Sequence, residues 1–248
     1  MELISIITPY FKKIDFIDET INSVLRQTYS NFEMIIVYDD IDLEELNYLK
    51  KFTDIDKRIK IIKNNKNLGA GLSRNKGIEN CNGKFIAFLD SDDIWLESKL
   101  EKQLKFMKEN QYLISHTSYE IINSKNDVIG KRRAKNFYNF KSLLKSCDIG
   151  LSTVMIDKKI ISEDLKFPNI KTKEDFVLWL KILKKNYNIV GIGEALTKWR
   201  KLEKSLSSSV LQKLKDGFKV YNYYMKFNFF VSLYLLICLS INFIRKND

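Results

Sequence analysis

Between Lys84 and Asp93 the chain reads Lys-Phe-Ile-Ala-Phe-Leu-Asp-Ser-Asp-Asp, an apolar run that ends abruptly in three carboxylates within four residues. A short continuous apolar stretch rich in Phe and Ile suits a strand buried on both faces, the condition met in a parallel sheet. The acids then emerge at the strand's C-terminal edge, where open α/β sheets bind ligands. Clustered carboxylate oxygens suit a hard divalent cation, Mg²⁺ or Mn²⁺, which keeps some waters and takes further oxygens from substrate phosphates. A metal-bound diphosphate is therefore the simplest partner. Taken alone, Asp93 is better explained as the cap of a helix beginning near Ile94, with Asp90 and Ser91 filling a turn. Three acids straight after a buried strand are not explained that way.

The same grammar recurs upstream. Leu3 to Ile7 is a buried strand ending at Thr8-Pro9-Tyr10, and Asp18 to Gln27 places Ile21, Val24 and Leu25 at helical spacing. Met34 to Val37 is a second buried run that also ends in acids, Asp39 and Asp40. Leu43 to Phe52 is helical, Ile59 to Ile62 a short strand, and Gly69 to Cys81 a helix after a glycine turn. Alternation of this kind over residues 1–110 predicts a largely parallel, Rossmann-like sheet with right-handed crossovers and helices on both faces. Beyond it, Ser98 to Asn110 is an amphipathic helix, Tyr112 to Ser118 and Glu120 to Ile122 are strands, and Asp175 to Tyr187 is a mostly buried helix opened by Glu174 and Asp175. Acids there favour the helix dipole, which is reason enough for them on most helices.

With 248 residues, 45% hydrophobic, and only nine Gly and two Pro, the chain is long and ordered enough for one large domain. The division expected is 1–209 for the catalytic domain, in halves 1–110 and 111–209, followed by a tail over 210–248. The net charge of +11 favours anionic partners. Cys81, Cys147 and Cys238 are odd in number and lack metal-site spacing, so neither a disulfide framework nor a zinc site is expected. The N-terminus has no basic leader and reads as a first strand. His116, the only histidine, falls in a predicted strand and reads as structural.

The tail changes character. Leu211 to Lys226 interleaves lysines with apolar residues in the manner of a basic interfacial helix. Phe227 to Ile244 is nearly free of charge, and its 18 residues reach about 27 Å as a helix against a hydrocarbon core of about 30 Å. Spanning, shallow insertion and docking on the domain all remain open for it, and membrane contact over residues 211–246 is the expectation.

These stretches resemble, over about residues 2–205, the family 2 glycosyltransferases, inverting enzymes of the GT-A fold. Ile6 to Tyr10 resembles the family's opening strand and nucleotide loop, Ser23 to Tyr29 its first-helix signature, and Val37 to Asp40 its base-binding turn. Asn67-Leu68-Gly69 with Ser73 to Gly77 resembles the next loop and helix, Phe88 to Asp93 the DxD element, and Glu174-Asp175 before Leu178-Trp179-Leu180 the acid pair of the acceptor side. The resemblance implies that Asp39 bonds the nucleobase in a pocket lined by Thr8, Pro9 and Tyr10. It also implies that Arg74 and Ser91 lie near the nucleotide, that Asp90 holds the ribose, and that Asp92 coordinates Mg²⁺ or Mn²⁺. Asp175 is then the general base and Glu174 shapes the acceptor side. Where many relatives carry Tyr-Arg and, two residues on, His, this chain has Trp199-Arg200 and Leu202. No histidine ligand is expected there. Arg200 is a candidate for the diphosphate, although by composition alone such a cation is usually solvated.

The function that the resemblance implies is metal-dependent transfer of a sugar from a nucleotide diphosphate donor, UDP-linked by expectation, to a lipid-linked or glycan acceptor in surface polysaccharide synthesis, at the cytoplasmic face of a membrane and without nucleic acid. Two other classes fit the sequence less well. A metal-dependent nucleotidyltransferase normally opens with a Gly-rich basic loop, and Leu3 to Tyr10 has no glycine. A non-catalytic basic module for membrane or nucleic acid has no need of acids at two strand ends.

Overall fold

The computed structural model describes residues 1–162, 165–202 and 210–245. Four strands, β1 (Ile4–Tyr10), β2 (Phe32–Tyr38), β3 (Ile59–Lys63) and β4 (Phe85–Phe88), form a parallel half-sheet in the order β3-β2-β1-β4. Helices α1 (Ile14–Leu25), α2 (Glu44–Ile55) and α3 (Ala70–Glu79) connect them. β1 and β2 are buried at every position, as strands covered on both faces must be. The chain lays β2 and β3 on one side of β1 and β4 on the other. The order therefore reverses between β1 and β4, which opens a crevice at their carboxyl ends. Pro9 is tolerated inside this sheet because β4 pairs with β1 only as far as Ile7, leaving that side of Pro9 without a ladder to complete.

The second half adds β5 (Ile94–Trp95), α4 (Lys99–Glu109), β6 (Ile114–Ile122), β7 (Val128–Arg132), β8 (Phe137–Tyr138), α5 (Phe140–Leu143), β9 (Met155–Asp157), α6 (Glu174–Lys184) and β10 (Ile189–Arg200). β9 lies antiparallel between β4 and β6, so the sheet continues β4-β9-β6-β10-β5, with β7 and β8 paired on its side branches. Two expectations change here. The two strands expected within 112–122 are the single strand β6, Ile114–Ile122, because Tyr119 continues the pairing with β10. No helix begins at Ile94; that segment pairs with Thr197 and Lys198 of β10, and α4 starts at Lys99.

Beyond residue 209, α7 (Val210–Lys219), a π-helical turn (Val220–Tyr224) and α8 (Phe229–Arg245) follow. Val220, Tyr221, Met225, Leu235 and Leu239 are buried in the same apolar core as Phe176, Val177 and Leu180 of α6. Tyr221 meets Phe176 edge to face, with ring centroids 6.2 Å apart. Among the described residues no helix is long and apolar enough to cross a membrane, which removes the spanning alternative. Only Ser232, Leu235 and Leu239 of α8 are buried, and its other face presents Phe230, Tyr234, Ile237, Ile241 and Ile244 outward. Cys81, Cys147 and Cys238 form no disulfide.

Candidate active site

The carboxyl ends of β1 and β2 bring together Thr8, Pro9, Tyr10 and Asp39. Thr8 is fully buried, and its hydroxyl has no partner among the described residues. Tyr10 stacks on Tyr38 at 5.4 Å and donates to Glu45 Oε2 at 2.7 Å; burial raises its phenol well above the ordinary value. Asp39, 2% exposed, is held at the foot of the β3–α3 loop. Its Oδ1 accepts from Asn64 Nδ2 and the Leu68 amide, both at 2.7 Å, and its Oδ2 accepts from the Gly69 amide at 2.8 Å. Gly69 has φ +83°, a conformation L side chains rarely adopt, and it turns the chain into α3. Asp39 therefore shapes the loop on which α3 begins, with one lone pair of Oδ2 left for a ligand.

The carboxyl end of β4 carries Asp90, Ser91, Asp92 and Asp93, and each acid has a different fate. Asp90 Oδ1 accepts from Arg74 Nη2 at 2.6 Å, while its amide donates to Ser152 Oγ at 3.0 Å. Ser91 is buried in the turn. Asp92 Oδ2 lies 2.8 Å from Lys13 Nζ, and burial, ahead of the neighbouring charges, raises its pKa. Asp93 is not the helix cap expected from its position. It is buried and accepts from Ser152 Oγ at 2.5 Å and from the Arg200 amide at 2.8 Å. Burial first, then Asp92 and Asp90, raises its pKa well above the usual carboxylate range. Three acids so close cannot all ionise cheaply, and the innermost carries the proton most readily.

Arg200 departs from both expectations. Its side chain is fully buried, so it is no solvated cation, and its donors are already engaged. Nε donates to the Asp92 carbonyl at 2.8 Å, Nη1 to Asn126 Oδ1 at 2.7 Å and Nη2 to Glu19 Oε2 at 2.6 Å. It braces the Asp92 turn from below. Further cations lie beside it, in a cleft of about 410 Å³ lined by Lys12, Lys13, Phe16, Asn123, Ser124, Lys201 and Leu202.

Across the crevice, Lys173, at φ 65°, occupies the N-cap position of α6, so Glu174 and Asp175 stand in the helix's first turn without either being its cap. Arg74 joins this element to β4: Nη1 donates to Glu174 Oε1 at 2.6 Å while Nη2 holds Asp90. Gly71 makes the approach feasible, since a Cβ there would meet Glu174 Cγ at 3.1 Å and the Pro168 carbonyl at 3.1 Å. Asp175 Oδ1 accepts from the Phe176 amide at 2.7 Å. Its carboxyl is pushed up to about 7, by burial first and then by the Glu174 charge. A carboxylate poised near neutrality suits a general base.

The structure thus gathers Thr8, Pro9, Tyr10, Asp39, Arg74, Asp90, Ser91, Asp92, Glu174 and Asp175 around one crevice, with Arg200 beneath it. Sequence reasoning missed Lys13, Glu19, Ser152 and the pinned state of Asp93. Nothing local marks Ser152 or Glu19, which reach the site from the β8–β9 connection and from α1. Lys13, three residues after the Thr8-Pro9-Tyr10 strand end, carried the one local signal, a cation close to the carboxyl edge of the sheet. His116 is buried in β6, 5.4 Å from the Tyr138 ring, and burial pushes it down to about 4, so it is neutral. The oxygen donors fit Mg²⁺ or Mn²⁺, and the Lys13 ammonium on Asp92 marks where positive charge is welcome. Among the described residues no cluster of three or more His, Cys, Asp or Glu forms a cage. A cation held here needs phosphate oxygens from the substrate, as Mg²⁺ commonly does.

A strand-order reversal ringed by acids and flanked by lysines is the architecture of GT-A nucleotide-sugar transferases, and solved structures agree on the fold. The Staphylococcus aureus protein TarS, residues 1–349 in complex with UDP-GlcNAc, superposes with a TM-score of 0.73 at 21% identity, over 90% of this chain and 65% of that one. The sequence profile of glycosyl transferase family 2 matches residues 5–165, and the chain belongs to that family. A Bacillus subtilis glycosyltransferase named for teichuronic acid biosynthesis, TuaG, is 35% identical over 245 residues, covering 98% of this chain and 97% of the relative. The Escherichia coli UDP-Glc:alpha-D-GlcNAc-diphosphoundecaprenol beta-1,3-glucosyltransferase WfgD is 38% identical over 219 residues, covering 88% and 85%. The protein is a glycosyltransferase whose relatives are named for teichuronic acid and lipid-linked glycan synthesis. The nucleotidyltransferase and non-catalytic readings are set aside.

Proposed function

We propose that the protein moves a sugar, with inversion, from a UDP-linked donor to the hydroxyl of a lipid-linked glycan in surface polysaccharide synthesis. The observation that carries this reading is Arg74, whose two nitrogens tie Asp90 at the donor side to Glu174 beside Asp175 at the acceptor side. Donor and base are thereby held in one frame, as an in-line displacement requires.

Asp39 and the unpartnered Thr8 hydroxyl receive the nucleobase, with Pro9 and Tyr10 as its walls. Asp90, Ser91 and Arg74 flank the ribose. Asp92 holds Mg²⁺ or Mn²⁺, which when bound supplies positive charge to the departing diphosphate. Lys13 and its neighbours Lys12 and Lys201 add to that charge, and Arg200 contributes by fixing the Asp92 backbone. Asp175 takes the proton as the acceptor oxygen forms its bond to the sugar's anomeric carbon. The bond from that carbon to the diphosphate oxygen breaks, and the electron pair leaves with the nucleoside diphosphate. Glu174 orients the acceptor and keeps the Asp175 carboxyl basic.

The name of WfgD supports a lipid-diphosphate acceptor. Work at the cytoplasmic face of a membrane, with contact through residues 211–246, follows from that acceptor and from the apolar outer face of α8; Lys246 lies outside the described residues. The test is incubation with a panel of nucleotide sugars, Mg²⁺ or Mn²⁺ and a short-chain GlcNAc-diphosphate lipid, following nucleoside diphosphate release and glycolipid product. Metal-dependent transfer from a UDP-sugar that falls at least 100-fold in Asp175→Asn is expected. Undiminished transfer by that variant, or none from any UDP-sugar, defeats the proposal.

A further inference from the structure

A groove of about 850 Å³ lies between the 169–171 loop and helices α7 and α8. Its walls include Leu214, Phe218, Phe229 and Leu233, of which Leu214, Phe229 and Leu233 are 41%, 58% and 40% exposed. Lys171, Lys215 and Lys219 rim it, and among the described residues no carboxylate lies within ion-pair distance of these three. The one acid in the lining, Asp216, is buried, and its Oδ2 accepts from both the Thr172 amide and the Thr172 hydroxyl at 3.0 Å, so it is turned away from the rim. An apolar trough under an uncompensated trio of ammonium groups is complementary to a molecule with an apolar chain and a multiply charged anionic head.

The groove also adjoins the chemistry. Lys171 on its rim and Asp175 at the start of α6 are four residues apart, so their Cα atoms lie at most about 14 Å from each other. Beyond the groove, Phe230, Ile237, Ile241 and Ile244 extend an apolar stripe along α8, spaced at helical intervals and exposed.

We propose that this groove is a subsite for the acceptor lipid: it takes the first isoprenoid-like segment of the chain, and Lys171, Lys215 and Lys219 take the diphosphate, leaving the attached sugar to reach Asp175. The proposal rests on the lipid-linked acceptor reading above. Its test is independent of catalysis. The full-length protein is titrated calorimetrically with geranylgeranyl diphosphate below its aggregation concentration, with geranylgeraniol, and with the diphosphate again in the presence of saturating UDP. Saturable binding of the diphosphate is expected, at least 10-fold tighter than the alcohol and unaffected by UDP. The Lys215→Glu/Lys219→Glu variant, altered only at exposed positions, should lose at least 10-fold in this affinity, as should Leu233→Gln, while UDP affinity and sedimentation with phosphatidylcholine vesicles stay as in the wild type. Unchanged affinity in both variants overturns the proposal. So does displacement by UDP, which puts the lipid in the donor site, and so does loss only in step with vesicle sedimentation, which makes the face a bilayer contact alone. If the lipid binds as stated while no sugar is transferred, the subsite stands and the acceptor reading falls; sugar transfer that is insensitive to both variants does the reverse.

Discussion

Asp175→Asn separates catalysis from stability because the two readings of this residue forecast opposite signs. The folded carboxyl is pushed up to about 7 from an ordinary 3.8. The native state therefore holds a proton that the unfolded chain has released between those values, and stability falls as pH rises from about 4 to about 7 and is level above that. At 1.36 kcal/mol per pH unit the ceiling on this cost is about 4 kcal/mol. The carboxylate keeps an edge in solvent, which screens the penalty, so about 2 kcal/mol is expected to be recovered by a neutral amide at pH 8. For a chain of this size that corresponds to a rise in Tm of about 4–8 °C. At pH 4, where the native acid is already protonated, the two proteins should melt together. Turnover should fall at least about 100-fold with donor binding intact, since the amide cannot take a proton.

The combination to look for is a variant that is more stable and nearly inactive, measured by thermal melts at pH 4 and pH 8 beside steady-state kinetics. A residue serving the helix dipole would instead lose up to about 1 kcal/mol and keep its turnover. The kcat profile of the wild type should show an acid limb near pH 7, about three units above that of an ordinary aspartate. A limb near 4, or an Asn variant that is destabilised at pH 8, refutes the assignment.

Glu174→Gln removes the like charge beside Asp175, so the acid limb of kcat should move to lower pH; a limb that stays in place means the Glu174 charge is not what raises it. Asp92→Asn should abolish metal-dependent transfer while leaving the melt within a few degrees, and activity retained with chelator present would remove the metal from Asp92. Gly77→Ala should destabilise by about 1–3 kcal/mol, although alanine ordinarily improves a helix by about 1. The reason is that the new Cβ would stand 2.5 Å from Ile7 Cγ2, where α3 packs on β1. A neutral or raised Tm in denaturation would contradict that packing.

How much of this was legible depended on whether information was local. The parallel half-sheet was, because β1, β2 and β4 are buried at every position and so are written as mainly apolar runs, those of β2 and β4 with acids just beyond their ends. β9 was not. It is a three-residue strand whose place between β4 and β6 is decided by pairings with Phe85–Ala87 and Ile114–Ser115, far away in sequence. The site divides the same way. Asp90, Asp92 and Asp175 announce themselves by position, whereas the role of Asp93 is set by Ser152 and Arg200, which approach from 59 and 107 residues away. A helix cap and a buried, pinned acid look identical in a string of letters. Arg200 shows the converse: a charged residue reads as surface until Glu19, Asn126 and the Asp92 carbonyl are found to surround it.

The tail was legible as a change of composition but not as part of the catalytic body, and removing it is the perturbation that shows the difference. Ending the chain after residue 209 deletes Val220, Tyr221, Met225, Leu235 and Leu239, all 5% exposed or less. At about 1.5–3 kcal/mol for each fully buried side chain, the loss is about 7–15 kcal/mol, as large as the whole net stability of a typical domain. It also strips the hydrogen bonds from Thr172 to Asp216 and the Phe176–Tyr221 contact, two of the ties that hold the start of α6. The truncated protein should therefore aggregate or melt far below the full chain, and adding detergent should not restore transfer, because what is missing is the support under Asp175. Soluble, stably folded protein that binds UDP and keeps its turnover on a water-soluble acceptor would show that α7 and α8 are an appendage, and that α6 is held by the sheet alone.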